Sequence, residues 1–200
     1  MRDVSLQRWA RLFGGLWLFG TGIALMVNAR LGLGPWDVLS QGVAMRTGLR
    51  IGTVTMLVGA AVLVLWFFIR ERPGIGTIAN IVLIGQAINL TLPILPEFES
   101  APIRFLELLL GMLVLGLGSA FYLGARLGAG PRDGLMLGLH RRTGWSIRVT
   151  RTVIEICALA VGWLLGGTVG AGTIVLALGI GPVVQFMIRL VGPREVAPSH

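Results

Sequence analysis

The chain has 200 residues, 54% of them hydrophobic and only 13% charged, with a mean hydropathy of +0.83. One soluble core of this size cannot hide so much apolar surface, so the composition excludes a water-soluble globule and points to lipid as the solvent. The net charge of +8 comes from seventeen basic residues, all arginine, standing at the edges of apolar runs and not on one basic face, which argues against a nucleic-acid binder.

Arg2, Arg8 and Arg11 precede the first apolar run, residues 12–28, and Val27-Asn28-Ala29 imitates a signal-peptide cleavage pattern. The run is long enough to span a bilayer and has a counterpart deep in the chain, so it is expected to stay as a crossing. Next comes ARLGLGPWDVLSQGVAMRTG, residues 29–48, a polar, glycine-broken interruption. Gly34 suits an N-cap, and Pro35 suits the first helical position because its missing N–H would be unpaired there anyway. Asp37 falls where a carboxylate meets free amides. Arg46-Thr47-Gly48 supplies a basic last turn and a glycine stop. The spacing predicts a helix from Pro35 of about twelve residues, reaching only about 18 Å. Apolar runs 51–69 and 76–95 follow, then an acidic connection with Glu97 and Glu99.

The second half repeats this order: apolar residues 105–124, the interruption ARLGAGPRDGLMLGLHRRTG at 125–144, then runs 150–165 and 171–191. Between the two interruptions, 96 positions apart, twelve of twenty residues are identical, including Arg30/Arg126, Gly34/Gly130, Pro35/Pro131 and Asp37/Asp133. Chance in this composition would give roughly two, so the chain contains an internal repeat.

Runs of this size cover about 24–32 Å, close to a hydrocarbon core of about 30 Å. The predicted fold is therefore an all-α polytopic membrane protein, a single membrane domain over 1–200. It has six transmembrane helices as two inverted three-helix repeats, about 10–92 and 106–191, each with a short re-entrant or interfacial helix. An eight-crossing arrangement with parallel halves is rejected on the length of the short helices. With both termini cytoplasmic, thirteen arginines fall on the inner side, leaving Arg30, Arg46, Arg50 and Arg104 outside or in the membrane.

Two readings of the interruptions stay open. As re-entrant hairpins, an extended stretch descends and the short helix climbs back, so that two helix starts meet near the midplane around a small polar ligand or ion. As interfacial helices, Asp37 and Asp133 act only as caps, while Arg30 and Arg126 reach the headgroups. The hairpin reading is preferred, because ionisable residues inside a membrane are expensive enough to be functional by default. Trp9, Trp36 and Trp145 suit interfacial anchoring, though Trp36 would enter a cavity in the hairpin arrangement.

Around this motif the sequence resembles the YczE/YyaS/YitT family of bacterial integral membrane proteins, closest to the YczE-like branch. The resemblance is carried by ARLGLGPWDVLSQGVAMRTGLRIGTVT and RPGIGTIANIVLIG. It implies a multi-pass protein of the bacterial cytoplasmic (inner) membrane and carries over no catalytic or binding residues.

Among the remaining polar residues, Glu155 lies four residues after Arg151 and shares its helix face, as a shielded ion pair or a proton-coupling carboxylate. Glu107 and His140 read as interfacial, and Gln41, Asn80, Gln86, Asn89 and Gln185 as interhelical hydrogen-bonding amides. Cys157, the single cysteine, reads as a small packing residue and excludes an intramolecular disulfide. G-x-x-x-G spacings at Gly162/Gly166 and Gly134/Gly138 mark close helix contacts. No nucleophile–base pair or metal set is visible, so no enzyme activity, metal or cofactor is expected.

The expected function is a small secondary transporter or permease for a small polar or ionic solute. The alternative is an accessory or scaffold membrane protein without transport activity. The candidate substrate- or ion-binding residues are Arg30, Gly34, Pro35, Asp37, Gln41, Arg126, Gly130, Pro131, Asp133 and Glu155. The expected partners are the lipid bilayer and a small solute, proton or cation, with homo-oligomerisation open and no nucleic acid.

Overall fold

The structure, a computed structural model, describes residues 6–191; Arg2, Arg194 and His200 lie outside the described residues. In lipid every backbone N–H and C=O needs an internal partner, so long apolar runs become helices. Among the described residues there are eight: α1 (Leu6–Ala29), α2 (Pro35–Thr47), α3 (Ile51–Ile69), α4 (Ile75–Thr91), α5 (Ala101–Ala125), α6 (Pro131–Thr143), α7 (Ile147–Leu164) and α8 (Ala171–Val191). A 3-10 turn, Leu92–Ile94, extends α4.

Five of them, α1, α3, α4 with its extension, α5 and α8, are long and apolar enough to cross a membrane. The run 150–165, expected to supply a sixth crossing, falls in α7. That helix is capped by Ser146 Oγ, which accepts from Val149 N–H at 3.3 Å. Its 18 residues therefore add Arg148 to the Arg151 and Glu155 of that run, and three charged side chains are too many for the helix to count among the apolar ones.

α1 and α5 form the centre, with 56% of each apolar stretch buried, against 6% in α8. They cross antiparallel on glycines. A Cβ on Gly15 would come 2.9 Å from Gly118 O, and one on Gly22 would come 2.6 Å from Gly111 O. The backbones touch, which is how helices gain packing energy where lipid supplies no hydrophobic drive between them. α4 packs on α1, where a Cβ on Gly20 would meet the Ala87 side chain. α8 packs on α5, where a Cβ on Gly116 would meet Val183.

The short helices exchange halves: α2 packs on α7, and α6 on α3. Here a bulky and a small residue have traded places. In the first contact the α2 backbone at Val38 and Leu39 lies on Gly162 of α7; in the second Gly134 of α6 sits against the Trp66 ring of α3. Of the G-x-x-x-G positions, Gly162, Gly134 and Gly138 lie at such close contacts, whereas Gly166 is a turn residue with φ 104°. Cys157 is exposed on α7, correcting its reading as a packing residue.

Candidate functional site

The two interruptions fold as their local chemistry dictates. α2 and α6 both begin at the proline, after extended residues Gly34 (φ −67°, ψ 157°) and Gly130 (φ −62°, ψ 158°). Both end at a left-handed glycine with φ 72°, Gly48 donating to Ala44 O and Gly144 to His140 O. Between the end of α1 and the start of α2 the chain turns through Arg30 (φ 53°) and Gly32 (φ 111°), and between α5 and α6 through Arg126 (φ 53°) and Gly128 (φ 137°).

Each non-helical stretch is held by the helix start of a neighbouring element. Gly76 N–H at the start of α4 donates to Leu127 O at 2.9 Å, and Thr77 Oγ1 donates to Ala129 O at 2.7 Å. Gly172 N–H at the start of α8 donates to Leu31 O at 2.8 Å, and Leu33 N–H donates to Thr168 O at 3.3 Å. Irregular backbone packed away from water requires such internal partners. Trp66 Nε1 adds a donor to Pro131 O at 2.9 Å, pinning the first turn of α6.

The two helix starts meet on one cavity of about 510 Å³, with lining from all eight helices. Trp36 and Arg132, the second residues of α2 and α6, meet across it: the Arg132 guanidinium lies 5.1 Å from the Trp36 ring centroid, a cation–π contact. Arg132 also lies 3.7 Å from Asp37 Oδ1. Asp37 is 7% exposed, and its Oδ1 has no hydrogen-bond donor among the described residues. Asp133 is exposed towards the cavity. Arg151 Nε and Glu155 Oε1, also on the cavity wall, pair at 2.8 Å; the arginine side chain is 62% exposed, so the pair is not shielded within the chain. Asn80, Gln185, Ser119, Thr55 and Tyr122 add neutral polar groups.

Of the residues predicted from sequence, Gly34, Pro35, Asp37, Gly130, Pro131, Asp133 and Glu155 share this cavity. Three do not line it. Arg30 pairs with Glu97 at 2.6 Å on an exposed surface, away from Asp37. Gln41 Oε1 accepts from Thr168 N–H at 2.6 Å, fixing the turn that leads into α8. Arg126 occupies the corner after α5. Glu107 is buried and accepts from Asn28 Nδ2 at 2.8 Å, so it sits in the α1–α5 interface. Arg132 and Tyr122 were not singled out by sequence reasoning. The signal for Arg132 was present: it is the residue where the second copy departs from Trp36 of the first.

A family model described as a family of unknown function, DUF6198, matches residues 6–189. The chain belongs to this family. It is 42% identical over 180 residues to an uncharacterized protein of Haemophilus influenzae, covering 90% of this chain and 83% of that one. It is 34% identical over 192 residues to the uncharacterized membrane protein YczE of Bacillus subtilis, covering 94% and 88%. The uncharacterized protein YyaS of the same organism is 25% identical over 164 residues, covering 80% and 82%. These matches agree with the YczE/YyaS resemblance and with a membrane protein. No solved structure matches the DUF6198 chain significantly.

Proposed function

We propose that this DUF6198 protein is a small secondary transporter or permease of the bacterial cytoplasmic membrane, and not an enzyme. The observation that carries the reading is the cavity of about 510 Å³ where two half-length helices begin, lined by Asp37, Asp133, Glu155, Arg132 and Arg151. Charged groups around a cavity at the junction of broken helices are what solute and ion pathways through membranes need. The antiparallel α1–α5 crossing and the hydrogen-bonded extended stretches support two oppositely oriented units with re-entrant hairpins. Interfacial helices would not bring Trp36 and Arg132 into contact.

In this reading α7 is the sixth crossing. Its 18 residues extend about 27 Å, and its charged face turns to the cavity at Arg151 and Glu155. Both termini lie in the cytoplasm, following the arginine distribution.

The test is a solute panel of cations, anions and zwitterions against the purified protein, read by thermal stability. The transporter reading expects selective stabilisation that Asp37→Asn or Asp133→Asn removes. Identical shifts for wild type and both variants would leave the accessory-protein alternative. Orientation is tested separately by Thr47→Cys and Thr143→Cys in a Cys157→Ser background. Labelling by an impermeant maleimide is expected from opposite sides, and same-side labelling refutes opposed units.

A further inference from the structure

The five charged side chains of the cavity do not balance. Asp37, Asp133 and Glu155 face Arg132 and Arg151. Both guanidiniums are taken, Arg132 by Asp37 at 3.7 Å and Arg151 by Glu155 at 2.8 Å. Asp133 has no ion pair among the described residues and stands exposed to the cavity. Its Oδ2 lies over the start of its own helix, where a Cβ on Gly130 would come 3.3 Å away. Asp37 does the same at Gly34, at 3.4 Å. Each helix start supplies about half a positive charge to its own carboxylate, so the two contributions are alike; Asp133 lies in the field of Arg132 and Arg151 but pairs with neither, and the cavity holds one carboxylate more than it has guanidiniums.

A second observation shows what kind of group this cavity accommodates. Arg132, a cation on a flexible stem, rests on the face of Trp36 beside the Asp37 carboxylate. The chain itself thus places a guanidinium in a niche of one carboxylate and one aromatic ring, an arrangement that attracts organic cations. The rest of the wall is largely apolar, with Phe19, Ile84, Leu115 and Met136, and a volume of about 510 Å³ is of the size that holds a small organic molecule. Access is sideways. α7 and α8 do not pack on each other as α3 and α4 do, and Ala177 and Gly181 of α8 line the cavity at exposed positions.

We propose that the cavity binds a small organic monocation, an ammonium or guanidinium head on an apolar body, with Asp133 as the anchoring carboxylate and the α7–α8 gap as its entrance. This deepens the transporter reading by naming its substrate class, and it rests on that reading for the direction of use only.

The test compares four probes that share one apolar body, phenethylammonium, phenylacetate, 2-phenylethanol and the zwitterion phenylalanine, by titration calorimetry on the full chain in detergent. Phenethylammonium is expected to bind saturably and at least about tenfold more tightly than each of the other three. Asp133→Asn is expected to abolish that preference and Asp133→Glu to retain it. Tighter binding of phenylacetate or phenylalanine, binding independent of charge, no binding of the cation, or an unaltered preference in Asp133→Asn each overturns the proposal. The wild-type comparison decides even if a variant fails to fold. Flux of phenethylammonium into proteoliposomes separates the two claims: cation-selective binding without flux removes the transporter and keeps the site, whereas flux of an anion alone keeps the transporter and removes the cation.

Discussion

The two halves of the molecule use one helical plan and close it differently. In the first half α3 and α4 pack along a seam with glycine on both sides: a Cβ on Gly52 would strike Gly85 O and the Asn89 amide, and one on Gly59 would come 3.0 Å from Ile81. Asn89 Nδ2 ties the seam to Thr53 Oγ1 at 3.0 Å. In the second half the corresponding positions of α7 carry Arg148 and Glu155, and α7 and α8 stand apart. Two side chains of this length cannot occupy a seam built for backbone contact. The lesson is that a repeat can carry an opening on one side only, through two glycine-to-charge differences.

The largest effect is expected where bulk and space have been exchanged between the halves. Gly134→Val copies Val38 of the first half into a site already filled by the Trp66 ring. It should destabilise by about 3 kcal/mol through overpacking, measured by reversible unfolding in detergent. Adding Trp66→Gly, which copies Gly162, should recover at least about 1 kcal/mol of that loss as coupling energy. Recovery stays incomplete because the bond from Trp66 Nε1 to Pro131 O is gone. Strictly additive losses would show that the two contacts are not exchanged counterparts.

The seams give the next contrast. Gly52→Ala is expected to cost about 2 kcal/mol, since the new methyl meets a backbone carbonyl that cannot move without its helix. Arg148→Ala, at the corresponding position, should change stability by less than about 0.5 kcal/mol. Equal costs at the two positions would mean that the α7–α8 gap closes in the folded protein in detergent.

A smaller difference separates the threonines at the starts of α4 and α8. Thr77 is fully buried, donates to Ala129 O and accepts from Gly74 N–H at 3.1 Å, whereas Thr173 accepts from Gly170 N–H at 3.2 Å. Thr77→Val should therefore cost about 2 kcal/mol and Thr173→Val about 1 kcal/mol. Hydrogen exchange of the two helix starts, compared between variants, gives the check: the Thr77 variant should lose protection at residues 127–130.

Much of the local structure was legible beforehand. Pro35 and Pro131 start their helices, and Gly48 and Gly144 stop them, because proline's missing donor and glycine's left-handed freedom act within one turn and need no distant partner. The pairing of Arg151 with Glu155 was equally readable from their i, i+4 spacing. The fate of Arg30 was not: identical to Arg126 in the repeat, it was grouped with the aspartates, yet it pairs with Glu97 from a different loop. Nor did hydropathy of the run 150–165 reveal that its helix would begin early enough to add Arg148 to Arg151.

The amino-acid sequence by itself determined a lipid-soluble helical chain, written twice, with two short helices starting at G-P-x-D, since composition, periodicity and capping are local properties. Only the tertiary structure decided that those starts face each other. Trp36 meets Arg132 because α1 and α5 cross antiparallel on small residues, which brings elements 96 positions apart to one point. Which carboxylate is left outside an ion pair depends on that meeting. No local pattern contains it, because an ion pair is a property of distance in space and not of spacing along the chain.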